Sequence, residues 1–87
     1  MLAEFEHRRV CWSSRRGMLE LDLLLLPFAE QVFPQLTPQH QALYVELLAQ
    51  EDQQLFAWLV RGDTPVPRWQ ELIGQIRRFA QAPTPPR

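Results

Sequence analysis

Apolar residues recur along this chain at spacings of three and four, the periodicity of an α-helix with one buried face. The clearest stripe is Met18, Leu21, Leu25 and Phe28, and neighbouring leucines at positions 23, 24 and 26 widen it. A second clear stripe runs through the C-terminal part of the chain. Together these patterns predict five helices, over about residues 4–12, 18–31, 38–49, 52–61 and 67–81.

Residues that start and stop helices agree with these bounds. Thr37 followed by Pro38 predicts an N-cap and a first helical position. Asp52 is interpreted as the cap of the fourth helix, and Gly62 as its C-terminal stop. Pro27 lies inside the second pattern, where it is expected to kink the helix or to end its first half.

The predicted fold is therefore an all-α, single-domain bundle of about five helices. Residues 1–82 are expected to form the domain, and residues 83–87 a flexible proline-rich tail. The expected core consists of large apolar residues on the helical stripes: Leu21, Leu25, Phe28, Leu43, Leu47, Leu55, Phe56, Leu59, Leu72 and Ile76.

Composition narrows the function classes. The 87 residues suffice for one small domain, and the formal net charge of -1 argues against a general nucleic-acid binder. The leucine run at 23–26 is too short to span a bilayer, which needs about 20 apolar residues, so no membrane insertion is expected. A single cysteine and the lack of a secretory signal pattern favour a cytoplasmic protein.

Few residues in the chain suggest catalysis. His7 and Cys11 are spaced as a metal pair, but a structural zinc site needs four ligands, so a surface histidine and a half-buried cysteine are the preferred interpretation. Cys11 as a nucleophile lacks an oriented base. His40 and Tyr44 are interpreted as a solvated helix face rather than an acid–base pair. The sequence therefore predicts a protein that is not an enzyme.

One stretch departs from ordinary helix packing, the run from Arg15 to Asp22. Gly17 lies where the second helix begins, and two arginines precede it at the end of the helix dipole that disfavours cations. We expect Arg16, Gly17 and Glu20 to be exposed and to form one surface patch that another molecule approaches closely.

This stretch resembles the signature of the SdhE family, the FAD assembly factors of succinate dehydrogenase, whose mitochondrial members are called succinate dehydrogenase assembly factor 2. The family hallmark, Arg-Gly, two variable residues and Glu, is found here at residues 16–20, with Trp12 and Arg15 upstream and Leu21-Asp22 directly after. Pro27-Phe28 and the block from residue 47 to residue 59 are also similar to the family. The resemblance covers roughly residues 8–60. Cys11 departs from it, since bacterial relatives often carry a cysteine just before the paired arginines.

The resemblance implies a protein that binds the flavoprotein subunit of succinate dehydrogenase, with fumarate reductase as a second potential client. It further implies that the protein promotes covalent attachment of FAD to that subunit and holds no cofactor stably itself. The residues that the resemblance and the unusual stretch assign to partner binding are Arg9, Trp12, Arg15, Arg16, Gly17, Glu20 and Asp22.

Two other classes remain open. A helical DNA-binding module could use Arg8, Arg9, Arg15 and Arg16 on phosphates, although acidic residues adjoin them. An interaction adaptor with another client is the main alternative. Capture of the flavoprotein subunit would distinguish an assembly factor from such an adaptor.

Overall fold

Five α-helices make up most of residues 4–81, the part of the chain that a computed structural model describes, with side chains described from residue 7. The helices are α1 (Glu4–Ser13), α2 (Leu19–Gln31), α3 (Pro38–Leu47), α4 (Asp52–Phe56) and α5 (Pro67–Gln81). A 3-10 turn (Phe33–Gln35) follows α2, and a π-helical turn (Ala57–Arg61) continues α4. No strand occurs within these residues, so the all-α prediction is confirmed. The predicted tail at 83–87 lies outside the described residues.

Local chemistry sets the helix ends. The Thr37 hydroxyl accepts a hydrogen bond from the main-chain N–H of His40 at 3.2 Å, as expected of an N-cap. Gly62 ends the π-helical turn at φ +83°, a left-handed conformation that glycine adopts without steric cost. The interpretation of Asp52 as a cap was wrong, because the residue before α4 is Glu51 and Asp52 is inside the helix. Helix α2 continues through Pro27 to its end at Gln31, which excludes the alternative that this proline ends the first half of the helix.

The second helix is the centre of the bundle. It packs against α1, α4, α5 and both irregular turns. Its residues Leu21, Leu25 and Phe28 are fully buried. The Phe28 ring lies 5.5 Å from the ring of Tyr44 in α3 and 5.7 Å from that of Phe79 in α5, so aromatic contacts join three helices.

The predicted core is largely confirmed, since Leu43 and Phe56 alone among its members are half-buried rather than buried. The prediction omitted several large residues that the structure buries: Phe33, Tyr44, Trp58, Trp69 and Ile73. Leu23, which was expected to widen the buried stripe, is 65% exposed.

Tyr44 contradicts the expectation of a solvated helix face. Its side chain is fully buried, and its hydroxyl lies 2.7 Å from Oγ of Ser14, the one buried polar residue in the described part of the chain. The Ser14 hydroxyl donates to the carbonyl of Val10 at 2.8 Å. A tyrosine can occupy the core in this way because a partner satisfies its single polar group.

Candidate partner-binding surface

The connection between α1 and α2 is a tight turn that requires glycine. Gly17 has φ +81°, which side chains with a Cβ rarely adopt. A Cβ at this position would meet no atom within 4 Å. The glycine is therefore needed for its backbone conformation, and the space beside it is open to another molecule.

Arg16 is largely an internal residue. Its side chain is 17% exposed, and its Nε donates to Oδ1 of Asp52 at 2.8 Å. The two terminal nitrogens donate to the carbonyls of Leu48, at 2.8 Å, and Gln50, at 3.3 Å. Arg16 thus clamps the α1–α2 turn to the α3–α4 turn, and the prediction that its side chain is exposed was wrong.

The position of this cation also has an electrostatic reason. Helix α3 ends at Leu47, so the carbonyls of Leu48 and Gln50 lie at the negative end of that helix dipole, where cations are favoured. Arg16 precedes the positive end of α2 in sequence, but its charge is placed at the C-terminus of α3. For Arg16, the apparent electrostatic mismatch in the sequence therefore disappears in the folded protein.

Asp22 also acts within the fold. Its carboxylate accepts a hydrogen bond of 2.7 Å from the main-chain N–H of Arg16. Met18, the N-cap of α2, makes no side-chain capping bond. The half-buried Asp22 therefore ties the first turns of α2 back to the preceding connection, in the manner of the acidic partner in a capping box.

The remaining residues of the stretch are oriented outward. Arg15 and Glu20 are exposed, and neither side chain has a hydrogen-bond or ion-pair partner within the described residues. Large apolar side chains are exposed beside them, with Trp12 at 74%, Leu19 at 68% and Leu23 at 65%. The members of this motif surface are Trp12, Arg15, Gly17, Leu19, Glu20 and Leu23.

The motif surface combines exposed apolar side chains with exposed charged ones. Leu19 and Leu23 are one helical turn apart, so they share a face of α2. Clustered exposed apolar residues with charges among them mark binding surfaces more often than solvated ones. Sequence reasoning missed both leucines as site residues, although the excess of leucine beyond one stripe was the available signal. Arg9 is exposed on α1, one turn before Ser13.

A side groove adjoins the motif surface between the start of α2 and the end of α4. It has a volume of about 330 Å³ and is lined by Met18, Glu20, Gln53, Phe56 and Arg61. Met18 and Phe56 are half-buried, whereas the three polar residues are exposed. The groove is therefore apolar inside and polar at its rim.

The histidines considered for catalysis make local contacts within the fold, and the Cys11 thiol is half-buried. His7 Nε2 lies 2.8 Å from the carbonyl of Ala29. Burial, assisted by the negative charge of Glu30, raises the pKa of the half-buried Cys11 thiol, which disfavours the thiolate. His40 lies between Thr37 and Glu71, with ring nitrogens 3.2 and 3.3 Å from their oxygens.

No group of three or more residues suited to metal binding occurs in the described part of the chain. None of its helices has the length and apolar character needed to cross a membrane.

The arrangement defines a small all-α protein with an Arg-Gly turn held by an internal clamp. A family model described as "Flavinator of succinate dehydrogenase" (Sdh5) matches residues 8–80. The chain belongs to this family. The match extends beyond the region where the motif resemblance was found and includes almost all of α5.

Curated relatives agree with the family match. A Pseudomonas putida protein named FAD assembly factor SdhE is 45% identical over 74 residues, which cover 84% of this chain and 88% of the relative. Proteins of the same name from Pseudomonas syringae pv. tomato and Shewanella oneidensis are 48% and 41% identical, over 87% and 79% of this chain and 92% and 85% of theirs. The resemblance to the SdhE family is thereby confirmed.

Proposed function

We propose that this protein is an assembly factor that binds the flavoprotein subunit of succinate dehydrogenase and promotes covalent attachment of FAD to it. The observation that carries the proposal is family membership over residues 8–80, in a family described as flavinators of this enzyme. The names of the curated relatives, FAD assembly factors, support the same function.

The geometry supports two different roles for the residues in and around the motif, contact with the partner and positioning of the Arg-Gly turn. Arg15 and Glu20 are exposed and unpartnered in the described part of the chain, so they would make charge-assisted bonds with the flavoprotein. Gly17 would let the two backbones approach closely. Arg16 and Asp22 would act as positioning residues that hold this turn, while Arg9 and Trp12 extend the contact along α1.

The chemistry of flavin attachment would reside in the flavoprotein. Joining a flavin to a histidine needs a base and stabilisation of negative charge on the flavin ring. Within the described residues, the imidazoles of His7 and His40 are engaged in local contacts and the Cys11 pKa is raised. The protein is therefore proposed to be a binding factor and not an enzyme.

Stable binding of free FAD is not part of the proposal. The side groove, at about 330 Å³, is at the lower limit of pockets that enclose drug-sized ligands, and FAD is larger than these. An unpartnered carboxylate at its rim, that of Glu20, would also repel the pyrophosphate. These residues do not fit the dinucleotide.

The protein would instead act by differential binding. A helper shifts a conformational equilibrium only by as much as it prefers one state. Docking on the flavoprotein conformation in which histidine and bound FAD are close would raise the population of that reactive geometry. The proposal includes the fumarate reductase flavoprotein as a second client and the bacterial cytoplasm as the location, the latter supported by the bacterial origin of the relatives above.

Co-expression tests the function directly. The succinate dehydrogenase flavoprotein of the host is produced with and without this protein, and covalent flavin is scored by fluorescence in a denaturing gel. We expect strong dependence on the factor. Equal flavinylation in its absence, together with capture of a different protein, would favour an adaptor with another client. Tight stoichiometric binding of FAD to the isolated protein would instead favour a mechanism in which the protein carries FAD to the flavoprotein.

A further inference from the structure

The side groove and the motif surface are continuous. Glu20 belongs to both, and Met18, which lines the groove, directly follows Gly17. On the opposite wall, Gln53 directly follows Asp52, the residue that holds Arg16. A partner that covers the motif surface therefore also covers the mouth of the groove.

The lining of the groove indicates what it can accept. Met18 and Phe56 supply an apolar wall, and methionine adapts its shape to an inserted group. The volume of about 330 Å³ suits one or two side chains of a docked protein better than a cofactor.

Charge at the rim refines this picture. Arg61 donates to Asp63 at 2.6 Å, so its charge is locally balanced. Glu20 has no such partner within the described residues. The rim therefore presents one unbalanced negative charge, which complements a basic residue beside the inserted group.

The helix geometry at the groove is also unusual. Phe56 ends α4, and Arg61 ends the π-helical turn that continues it. Short π-helical segments are rare and occur frequently at functional sites. Here the widened turn carries Arg61 to the rim of the groove.

We infer that the side groove is a second anchor point for the flavoprotein subunit, which inserts an apolar side chain between Met18 and Phe56 and pairs a neighbouring basic residue with Glu20. The inference rests on the proposed function and deepens it, because it assigns recognition to α4 as well as to the Arg-Gly turn. Buried apolar anchors of this kind dominate the affinity of many protein interfaces.

Two adjacent glutamines allow a matched test. Gln53 lines the groove, whereas Gln54 is exposed outside it. Both lie in the first turn of α4, where a cation is disfavoured to a similar extent, so Gln53→Lys and Gln54→Lys should be equally well folded. Each adds the same positive charge, and only the first adds it next to the inserted apolar group and the basic residue of the partner.

Affinity for the purified flavoprotein subunit is measured by calorimetry for the wild type and both variants. We expect Gln53→Lys to weaken binding by about tenfold or more, the effect of losing one anchor contact, and Gln54→Lys by less than about twofold. Gln53→Trp and Gln54→Trp repeat the comparison by filling the groove, with circular dichroism as the check on folding.

The outcomes separate the two proposals. Equal affinities for the variants at 53 and 54, in both pairs, would overturn the groove as an anchor while leaving the assembly function intact. A wild-type protein that does not bind the flavoprotein at all would overturn both. Selective loss in the variants at 53 supports the inference.

Discussion

The Nε atom of Arg16 lies 2.8 Å from Oδ1 of Asp52, a residue 36 positions later in the chain. This contact joins the turn before α2 to the start of α4. It gives Arg16 a role within the fold, whereas the side chain of the adjacent Arg15 is exposed and has no hydrogen-bond or ion-pair partner within the described residues. Adjacent residues of one type therefore contribute to different properties of the protein.

Substitution of Arg16 should mainly lower the stability of the protein, whereas substitution of Arg15 should mainly weaken its binding to the flavoprotein. Arg16→Ala removes an ion pair and leaves two carbonyls without their donor, so we expect a loss of about 1–3 kcal/mol in the free energy of unfolding. In a domain of this size the melting temperature falls by roughly 4–8 °C per kcal/mol. Arg15→Ala should change stability by less than about 0.5 kcal/mol and should weaken binding to the flavoprotein.

Thermal unfolding followed by circular dichroism, with titration of the flavoprotein, checks both arginines. Arg16→Lys serves as a control for charge, because one ammonium cannot reproduce the fork that reaches Asp52, Leu48 and Gln50. A fully stable Arg16→Lys protein would contradict the clamp.

Gly17 can be tested with substitutions of graded size. Its left-handed conformation costs a residue with a Cβ about 1–2 kcal/mol, whereas asparagine tolerates it better. Because no atom lies within 4 Å of the added Cβ, Gly17→Ala and Gly17→Arg should be destabilised equally. Flavinylation should be lost in Gly17→Arg and largely retained in Gly17→Asn.

Covalent flavin fluorescence and melting temperature are measured on the same Gly17 preparations. If Gly17→Arg lost activity only in proportion to unfolded protein, with Gly17→Ala losing as much, the turn would be structural alone.

Glu20 and Asp22 should also behave differently. Asp22 accepts a charge-assisted main-chain hydrogen bond within the fold, so Asp22→Asn, which keeps an acceptor oxygen but loses the charge, should lower stability by about 1 kcal/mol. Glu20 has no partner among the described residues, and Glu20→Gln should leave the melting temperature nearly unchanged while reducing flavinylation. Comparison of the two variants by both measurements gives the result, and a stable, inactive Asp22→Asn would show that Asp22 contacts the partner instead.

Alkaline pH should unfold this protein through its single tyrosine. Burial raises the pKa of Tyr44 well above its ordinary value of about 10, and the bond to Ser14 offsets this only in part. Above pH of about 10 the unfolded chain loses the phenol proton while the folded chain keeps it. The folded state then binds more protons, so stability falls as pH rises.

The tyrosine prediction is measured by denaturant unfolding at several alkaline pH values. Since the chain contains one tyrosine, the phenolate absorbance reports on this residue alone. The Cys11 thiol, whose pKa is also raised, acts in the same direction from lower pH, so Cys11→Ala is the appropriate background. Tyr44→Phe should flatten the pH dependence, and an unchanged slope would refute the assignment.

Local signals in the sequence predicted much of the fold. The start of α3 follows from Thr37 and Pro38, and the core positions of α2 follow from a regular stripe of Leu21, Leu25 and Phe28. These features depend on neighbours within one or two helical turns, which a single sequence displays.

Features that depend on distant contacts were not predictable in this way. Tyr44 was expected on a solvated face because its partner, Ser14, lies 30 positions earlier. Arg16 was expected to be exposed because its position before the positive end of α2 disfavours a cation, and its acceptors Asp52, Leu48 and Gln50 lie more than 30 positions later. In both cases, the tertiary contact determined the burial of the polar side chain. The division of the residues of the Arg-Gly-x-x-Glu motif between the interior and the surface was therefore not predicted.

Two of the acceptors of Arg16 are main-chain carbonyls, those of Leu48 and Gln50. Main-chain acceptors are present whatever side chains occupy those positions, so residues 49–51 are free to vary in type as far as this clamp is concerned. The number of residues in this connection is constrained, because one inserted or deleted residue would move both carbonyls relative to the guanidinium. Among homologous proteins, this link should therefore appear as a connection of fixed length and variable composition.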